Sequence, residues 1–206
     1  MTRARFIQRS NNTKQDLTGH LDKLRSLVHV YEGKLNEIGE KYTFSSTWWK
    51  TPNNAAARKK VGSTVFNYLW NICRSSANEA MWTSYKLKSG ENIQMRNYQS
   101  AFCPCNACAT NEYANRRNLV YLVNVYNHPT VKKWFIRNGT TCDDDDFALS
   151  QMLQWIWRSS IRNGEAINIF IPSKRMRNLL QNWLQYGNIV RSKKSMELYS
   201  IKFEKK

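Results

Sequence analysis

Apolar and polar positions follow their most regular pattern between residues 141 and 184, where they predict a helix, a buried strand and a second helix. Four carboxylates, Asp143 to Asp146, occupy the expected first turn of the first helix, where negative charge stabilises unpaired N–H groups. Apolar side chains then recur with a period close to 3.6 residues, at Phe147, Leu149, Met152, Leu153, Ile156, Trp157 and Ile161. Because glycine commonly follows the last turn of a helix, Asn163-Gly164 is predicted to end it.

The next segment, Ala166 to Ile171, is apolar except for Asn168, which is typical of a strand buried on both faces of a parallel sheet. Pro172 ends the strand, and Ser173 is predicted to cap a second helix. The first turns of that helix are basic, with Lys174, Arg175 and Arg177. Helix, buried strand and basic helix together make half of an α/β unit, so the sequence predicts an α/β fold.

The N-terminal part of the chain has a different pattern. Residues 1–12 lack periodicity and are predicted to form a flexible basic arm. From Thr13 onwards, apolar residues at alternating spacings of four and three predict a long helix, with Leu17, Leu21, Leu24, Val28, Tyr31, Leu35 and Ile38 on one side. Two glycines weaken this helix, so we favour an amphipathic helix, or a helical hairpin, packed on the protein's own core over a coiled coil. Helices are also predicted at 61–73 and 118–134. The predicted organisation is the arm, a helical N-terminal region at 13–60, and an α/β domain at 61–206.

Composition and charge suggest a class of partner. The 206 residues are 41% hydrophobic, which suffices for a core, and no apolar run approaches the length of a membrane span. A cytoplasmic protein is therefore expected. The net charge of +17 favours a polyanionic partner, DNA or RNA, and ten Tyr and eight Trp are available for base stacking. The alternative is a generally basic surface, as in a phage-type proteome. A membrane surface is less favoured because the basic residues are dispersed.

Three cysteines, Cys103, Cys105 and Cys108, lie within six residues and could supply zinc ligands, with Cys142 or His128 as a fourth. Two C-x2-C pairs would be a strong zinc signal, and the sequence lacks the second pair. The proline between Cys103 and Cys105 also limits how these thiols converge. We therefore favour reduced cysteines and predict no stoichiometric zinc. Nothing in the sequence has the spacing of a hydrolytic triad.

A row of polar residues is the strongest chemical pattern. Gln154, Arg158 and Arg162 are spaced i, i+4 and i+8, which puts them on one face of the predicted helix. Beside a loop containing Thr110-Asn111, these arginines could reach a nucleotide phosphate. The alternative is a solvated face that pairs with acidic neighbours. The phosphate loop G-x-x-x-x-G-K-[ST] is missing, so ATP hydrolysis by this chain alone is not expected.

Two segments resemble the second RecA-like lobe of superfamily 2 helicase-type ATPases from phage and plasmid replication modules. They are CNACATNEYANRRNLVYLVNVYNHP (105–129) and DDDDFALSQMLQWIWRSSIRNGEAINIFIPSKRMR (143–177), and the resemblance spans about residues 98–184. It implies a partial RecA-like sheet flanked by helices. It also implies phosphate-sensing roles for Gln154, Arg158 and Arg162, and a loop role for Thr110 and Asn111. The chain departs from the pattern at Trp157, where a glycine is usual, and in spacing its two arginines by four residues instead of three.

These observations lead to three functional hypotheses. The first is a nucleic-acid-binding protein of replication or DNA processing that works with a separate ATP-binding lobe. Under this first hypothesis, nucleic acid is contacted by Thr110, Asn111, Lys174, Arg175 and Arg177. ATP and Mg bind only when the separate ATP-binding lobe is present. The second is a non-enzymatic nucleic-acid-binding or inhibitor protein, which zinc could stabilise. The third is a basic structural component of a phage or ribonucleoprotein particle. A parallel sheet whose carboxyl edge holds the Asn111 loop and the Arg158 helix would support the first.

Overall fold

The computed structural model describes residues 21–106, 111–140 and 143–187 and contains a parallel sheet in the order β1-β4-β3-β2. The strands are β1 (Val28–Val30), β2 (Ala80–Thr83), β3 (Asn118–Tyr121) and β4 (Ile167–Phe170). In the register, Val28 lies opposite Ile167, Leu119 opposite Ile169, and Trp82 opposite Val120. The α/β class and the buried parallel strand near residues 166–171 are therefore confirmed.

Helices cover both faces of the sheet. Residues 21–27 are helical (α1), and the remaining helices are α2 (Ile38–Lys41), α3 (Ser46–Lys50), α4 (Ala55–Phe66), α5 (Pro129–Arg137), α6 (Asp144–Ile156) and α7 (Lys174–Tyr186). A π-helix, Asn67–Ile72, continues α4, which confirms helix over residues 61–73. Short 3-10 segments span Lys34–Glu37, Pro52–Asn54, Gln99–Ala101 and Ser160–Asn163. None of the helices within the described ranges is long and apolar enough to cross a bilayer.

The strands bury apolar side chains on both faces, which divides the core in two. On one face, Leu119, Tyr121 and Ile169 pack with buried residues of α1, α6 and α7. On the other, Trp82, Val120 and Phe170 pack with buried residues of α2, α3, α4 and the π-helix. This two-sided burial explains why β3 and β4 are nearly continuous apolar runs instead of alternating ones.

The prediction of one long N-terminal helix from Thr13 to Ile38 is wrong. Within the described residues, α1 stops after residue 27, and Val28–Val30 form β1, which pairs with β4. The β-branched side chains of Val28 and Val30 suit a strand, and their spacing fits a helical seam equally well. The region 13–60 therefore contributes a strand to the main sheet, and the arm at 1–12 lies outside the described residues.

The prediction of a helix over residues 118–134 is also wrong in its first half. Asn118–Tyr121 form β3, the chain stays extended, and α5 begins only at Pro129. A short, fully buried apolar run has no polar face, so its periodicity cannot distinguish a strand from a helix. His128 caps α5, because its Nδ1 accepts a hydrogen bond from the Thr130 N–H at 3.3 Å.

The acidic helix start is confirmed, and the helix end is not. Asp143 caps α6 by accepting hydrogen bonds from the N–H groups of Asp145 (2.7 Å) and Asp146 (3.4 Å). The helix ends at Ile156, well before the predicted Asn163-Gly164. A turn and the 3-10 segment Ser160–Asn163 follow, and Gly164 ends that segment with φ +75°. The predicted row of Gln154, Arg158 and Arg162 therefore leaves the helix after Gln154.

Candidate nucleic-acid interface

The amino edge of the sheet brings together two of the residues that the sequence singled out. Arg162 Nη1 donates a hydrogen bond to Asn111 Oδ1 at 2.8 Å, and Arg117 pairs with Glu165 at 3.0 Å. The same region is anchored where β3 begins, because the Ser160 N–H donates to the Arg116 carbonyl at 3.0 Å. The Asn111 loop therefore contacts one of the two predicted arginines, Arg162. The contact lies at the edge of the sheet where β3 and β4 begin.

That position does not meet the condition set by the helicase hypothesis. Open α/β sheets bind ligands outside the carboxyl ends of their strands, and the Asn111–Arg162 contact lies at the opposite edge. Gln154 is exposed on α6 and donates to Ser150 Oγ at 3.3 Å, whereas Arg158 is half-buried in the turn after α6. The three side chains thus belong to a helix, a turn and a 3-10 segment, not to one helical face. Thr110 lies outside the described residues.

Two cysteines of the predicted zinc cluster, Cys103 and Cys105, lie within the described residues. Burial raises the pKa of the Cys103 thiol to about 11, although Arg158 acts in the opposite direction. Burial also raises the pKa of Cys105. Within the described ranges no cluster of three or more His, Cys, Asp or Glu could hold a metal ion. Because Cys108 and Cys142 lie outside those ranges, the absence of zinc stays a prediction.

The carboxyl edge is organised around Arg175. Its guanidinium donates to Asp145 Oδ1 at 2.9 Å, to Asn124 Oδ1 at 2.9 Å and to the Val125 carbonyl at 2.7 Å, and it lies 4.3 Å from the ring centroid of Tyr126. These contacts tie the loop after β3 to the first turns of α6 and α7. Arg175 was predicted to contact nucleic acid, and its donors here serve this internal network.

The two other basic residues at the start of α7 differ from each other. Arg177 donates to the carbonyls of Ile171 (2.8 Å) and Pro172 (3.2 Å), so it holds the end of β4, and its partial burial lowers its pKa. Lys174 is exposed. Three residues of α7 were predicted to bind nucleic acid. Among them, Lys174 alone keeps its charge in solvent with no ion pair or hydrogen bond to another described residue.

Helix α5 projects from this edge without joining the core. It contains no buried residue, and Trp134 and Ile136 are 59% and 67% exposed. Lys133 and Arg137 beside them are exposed, and no residue of α5 is acidic. We call Lys133, Trp134, Ile136 and Arg137 the α5 ridge.

A helix over residues 118–134 was predicted from the sequence, and this ridge was not identified as a surface. The available signal was local: Lys133 and Arg137 flank Trp134 within one helical turn, which a core helix rarely needs.

The base of α5 is attached to α6 through Asp144. Its Oδ1 accepts hydrogen bonds from the backbone N–H and the side-chain amide of Asn127, both at 3.1 Å, and its carboxylate pairs with Lys132. Asn127 is buried, so the connection is shielded. Partial burial disfavours the charged carboxylate, but the hydrogen bonds from Lys132 and Asn127 outweigh it and lower the pKa of Asp144. The ridge is therefore presented from a fixed base.

Comparison with known proteins defines the family of this fold. Residues 22–184 match the family model described as the YonV C-terminal Rossmann-like domain. The chain is 41% identical over 165 residues to the SPbeta prophage-derived uncharacterized protein YonV of Bacillus subtilis strain 168, a match covering 80% of this chain and 40% of that relative. The chain thus spans well under half the length of the relative, and no solved structure matches it significantly.

These matches bear on the predicted resemblance as well. They support a phage-type domain with a Rossmann-like sheet, and the matching family model is not that of a superfamily 2 helicase lobe. The family match covers all four strands, α5 and nearly all of the other helices described above. The chain belongs to the family of YonV C-terminal Rossmann-like domains.

Proposed function

We propose that the chain binds single-stranded nucleic acid through the α5 ridge. The observation that carries the proposal is the 59% exposure of Trp134 between the exposed cations Lys133 and Arg137. An exposed aromatic ring stacks on a base, which contributes about 1–3 kcal/mol per base, while neighbouring cations neutralise phosphates. The net charge of +17 provides long-range attraction for such a polyanion.

The chemistry of the ridge favours nucleic acid over an apolar protein partner. Val131, Trp134 and Ile136 leave apolar surface in solvent, which marks an interaction site. Lysine is depleted at protein–protein interfaces, whereas Lys133 lies directly beside the aromatic ring of this ridge. Single-stranded nucleic acid fits better than a duplex because only unpaired bases offer their faces for stacking.

A role beside a separate ATP-binding lobe, in replication or DNA processing, rests on sequence resemblance alone. The amino-edge position of Arg162 and the departure at Trp157 give that hypothesis no added support. The alternative of a non-enzymatic nucleic-acid-binding protein is compatible with the α5 ridge. A structural role in a phage particle would use the same charge without needing an exposed aromatic ring.

The test compares ridge variants of the full chain in binding a fluorescein-labelled oligothymidine of about 15 nucleotides at low salt, followed by fluorescence anisotropy. Trp134→Ala should weaken binding by about 5- to 150-fold, the range that corresponds to loss of one stacked base. Trp134→Phe should retain much of the affinity, since phenylalanine still offers a ring.

The matched control is Trp157→Ala, which removes another partly exposed tryptophan outside the ridge and should leave affinity unchanged. Equal affinities for wild type and Trp134→Ala would contradict the proposal. Stronger binding to a duplex of the same length would also contradict it, because paired bases cannot stack on the ridge.

A further inference from the structure

A second surface with an exposed tryptophan and an arginine lies away from the α5 ridge. A cleft of about 550 Å³ is lined by Trp70, Asn71, Arg74, Ser75 and Ser76, between the π-helix and the turn that leads into β2. This volume lies within the range of clefts that hold small organic ligands. Since the cleft precedes β2, it lies towards the amino edge of the sheet, whereas α5 lies at the carboxyl edge. The cleft is therefore formed by the π-helix and its turn, and it is separate from the carboxyl-edge crevice where open α/β sheets usually bind ligands.

The indole of Trp70 is held in place while much of it stays accessible. Trp70 is 53% exposed and stacks on Phe66 with ring centroids 5.8 Å apart and an interplanar angle of 13°. Phe66 is itself fixed, because the Arg96 guanidinium lies 5.3 Å from its ring centroid. An aromatic ring that is already supported loses little freedom when a planar ligand stacks against it.

Arg74 has an unusual backbone for its residue type. Its φ is +49°, a left-handed conformation that is unfavourable for a side chain with a Cβ, and glycine would be the usual residue where a helix ends this way. The side chain is exposed, and it has no ion pair or hydrogen bond with the described residues. A free guanidinium can bind phosphate oxygens through two parallel hydrogen bonds.

The wall of the cleft is fixed by hydrogen bonds. The Ser76 N–H and Oγ donate to Glu79 Oε2 at 3.0 and 2.9 Å, and the Tyr98 hydroxyl donates to the Ser75 carbonyl at 2.6 Å. Hydrogen bonding from Ser76 lowers the pKa of Glu79, so this carboxylate is engaged with the wall. The side-chain Nδ2 of Asn71 donates to Asn67 Oδ1 at 2.7 Å, which leaves the side-chain Oδ1 of Asn71 able to accept a hydrogen bond from a ligand.

We propose that this cleft binds a nucleotide, with the base stacked on Trp70 and the phosphate at Arg74. The combination of a supported indole, an unpaired guanidinium and an amide acceptor matches a planar, hydrogen-bonding ring that carries a negative charge. The π-helix and the left-handed backbone of Arg74 are each a feature that occurs often at functional sites. The nucleotide can come from solution or from the phosphorylated end of a strand.

The experiment titrates the full chain with the four ribonucleoside monophosphates, with adenosine, and with a 5′-phosphorylated dinucleotide, by calorimetry at concentrations up to about 1 mM. At least one monophosphate should bind, and Trp70→Ala should weaken it about tenfold or more. Arg74→Gly should abolish the preference of the site for adenosine monophosphate over adenosine. Because glycine suits the φ of this position, that variant keeps its fold, and its thermal midpoint should not fall.

Two control variants separate this site from the rest of the molecule. Trp157→Ala and Lys59→Gln remove an exposed tryptophan and an exposed cation elsewhere and should leave the titrations unchanged. Trp134→Ala should affect oligothymidine binding without changing monophosphate binding, so the α5 proposal and this one fail independently.

Three outcomes would overturn the proposal: no binding of any monophosphate, equal binding by Trp70→Ala and wild type, or an unchanged phosphate preference in Arg74→Gly. Binding of the phosphorylated dinucleotide more tightly than the monophosphates would assign the site to strand ends. The reverse order would assign it to free nucleotides.

Discussion

At the scale of single residues, the run of four consecutive acids connects several elements, because neighbouring carboxylates bind different partners. Asp143 caps α6, Asp144 binds Asn127 and Lys132 at the base of α5, and Asp145 binds Arg175 of α7. Their sequence position predicts only the first of these roles, because a cap is local. The other partners lie 12 to 30 residues away along the chain and reach these acids only in the folded protein.

Asp144 should make stability depend on pH in the acidic range. Its folded-state pKa is lowered, so the unfolded chain binds the proton more readily and the stabilisation is present above the unfolded pKa of about 3.9. It is lost as the pH falls through the folded value. We therefore expect Asp144→Asn to be less stable than wild type at pH 7, with the difference shrinking below about pH 4.

Urea denaturation of both proteins at pH 7 and near pH 3 measures this difference. The control is Asp22→Asn, because among the described residues the ion-pair partner of Asp22 is the neighbouring Arg25 on an exposed surface. A difference between Asp144→Asn and wild type that stays constant across the acidic range would show that the charge of Asp144 does not stabilise the fold.

At the scale of elements, Trp134 of α5 and Trp155 of α6 have opposite environments although both lie in helices with apolar residues at helical spacing. Trp155 is fully buried in α6, packs edge-on against Tyr121 with centroids 5.3 Å apart, and donates through Nε1 to the Cys103 carbonyl at 3.1 Å. Trp134 of α5 is mostly exposed. Both helices carry apolar residues at helical spacing, so periodicity alone assigns both to the core.

Alanine substitutions should separate these two environments. Trp155→Ala should lower the free energy of unfolding by about 3–5 kcal/mol, because a large cavity remains and the Cys103 carbonyl loses its donor. Trp134→Ala should change it by less than about 0.5 kcal/mol, since most of that side chain is already in solvent and the neighbouring Phe135 ring contacts only its edge region. Urea denaturation followed by far-ultraviolet circular dichroism gives both values.

Trp155→Phe serves as a milder variant that keeps most of the volume and loses the hydrogen bond, at a cost of about 1 kcal/mol or somewhat more. A cost for Trp134→Ala comparable with that for Trp155→Ala would mean that α5 belongs to the core. The α5 ridge would then not be a free binding surface.

At the scale of the whole molecule, the net charge of +17 predicts how binding responds to salt. Each phosphate neutralised on a single strand contributes a slope of about −0.7 to log affinity against log salt. Contacts with about four phosphates should therefore weaken oligothymidine binding roughly fifty-fold between about 50 mM and 200 mM salt. Anisotropy titrations of the full chain at several salt concentrations measure the slope.

The charge variant Lys133→Gln with Arg137→Gln should reduce the magnitude of that slope, and Trp134→Ala should lower affinity while leaving the slope nearly unchanged. Stacking releases no counterions, so the two contributions separate in this way. A flat salt dependence for the wild-type chain would remove the electrostatic basis of the proposal.

The sequence by itself determined those features that depend on neighbours along the chain. The acidic start of α6, the buried strand at Ile167–Phe170 and the α/β class all follow from local capping, from apolar runs and from the order of elements. The sequence also determined the charge, and with it the class of partner that we propose. These properties need no knowledge of which distant segments meet.

The tertiary structure alone decided the features that depend on distant partners. Val28–Val30 and Asn118–Tyr121 have a spacing that suits a helix, and they are strands because pairing with β4 satisfies their backbone groups and buries their side chains. Arg175 looks like a solvent-facing cation until Asn124 and Asp145 converge on it. Trp134 and Trp70 look like core residues until the packing leaves them outside. In each case the deciding free energy comes from contacts between residues far apart in the chain, which local periodicity cannot encode.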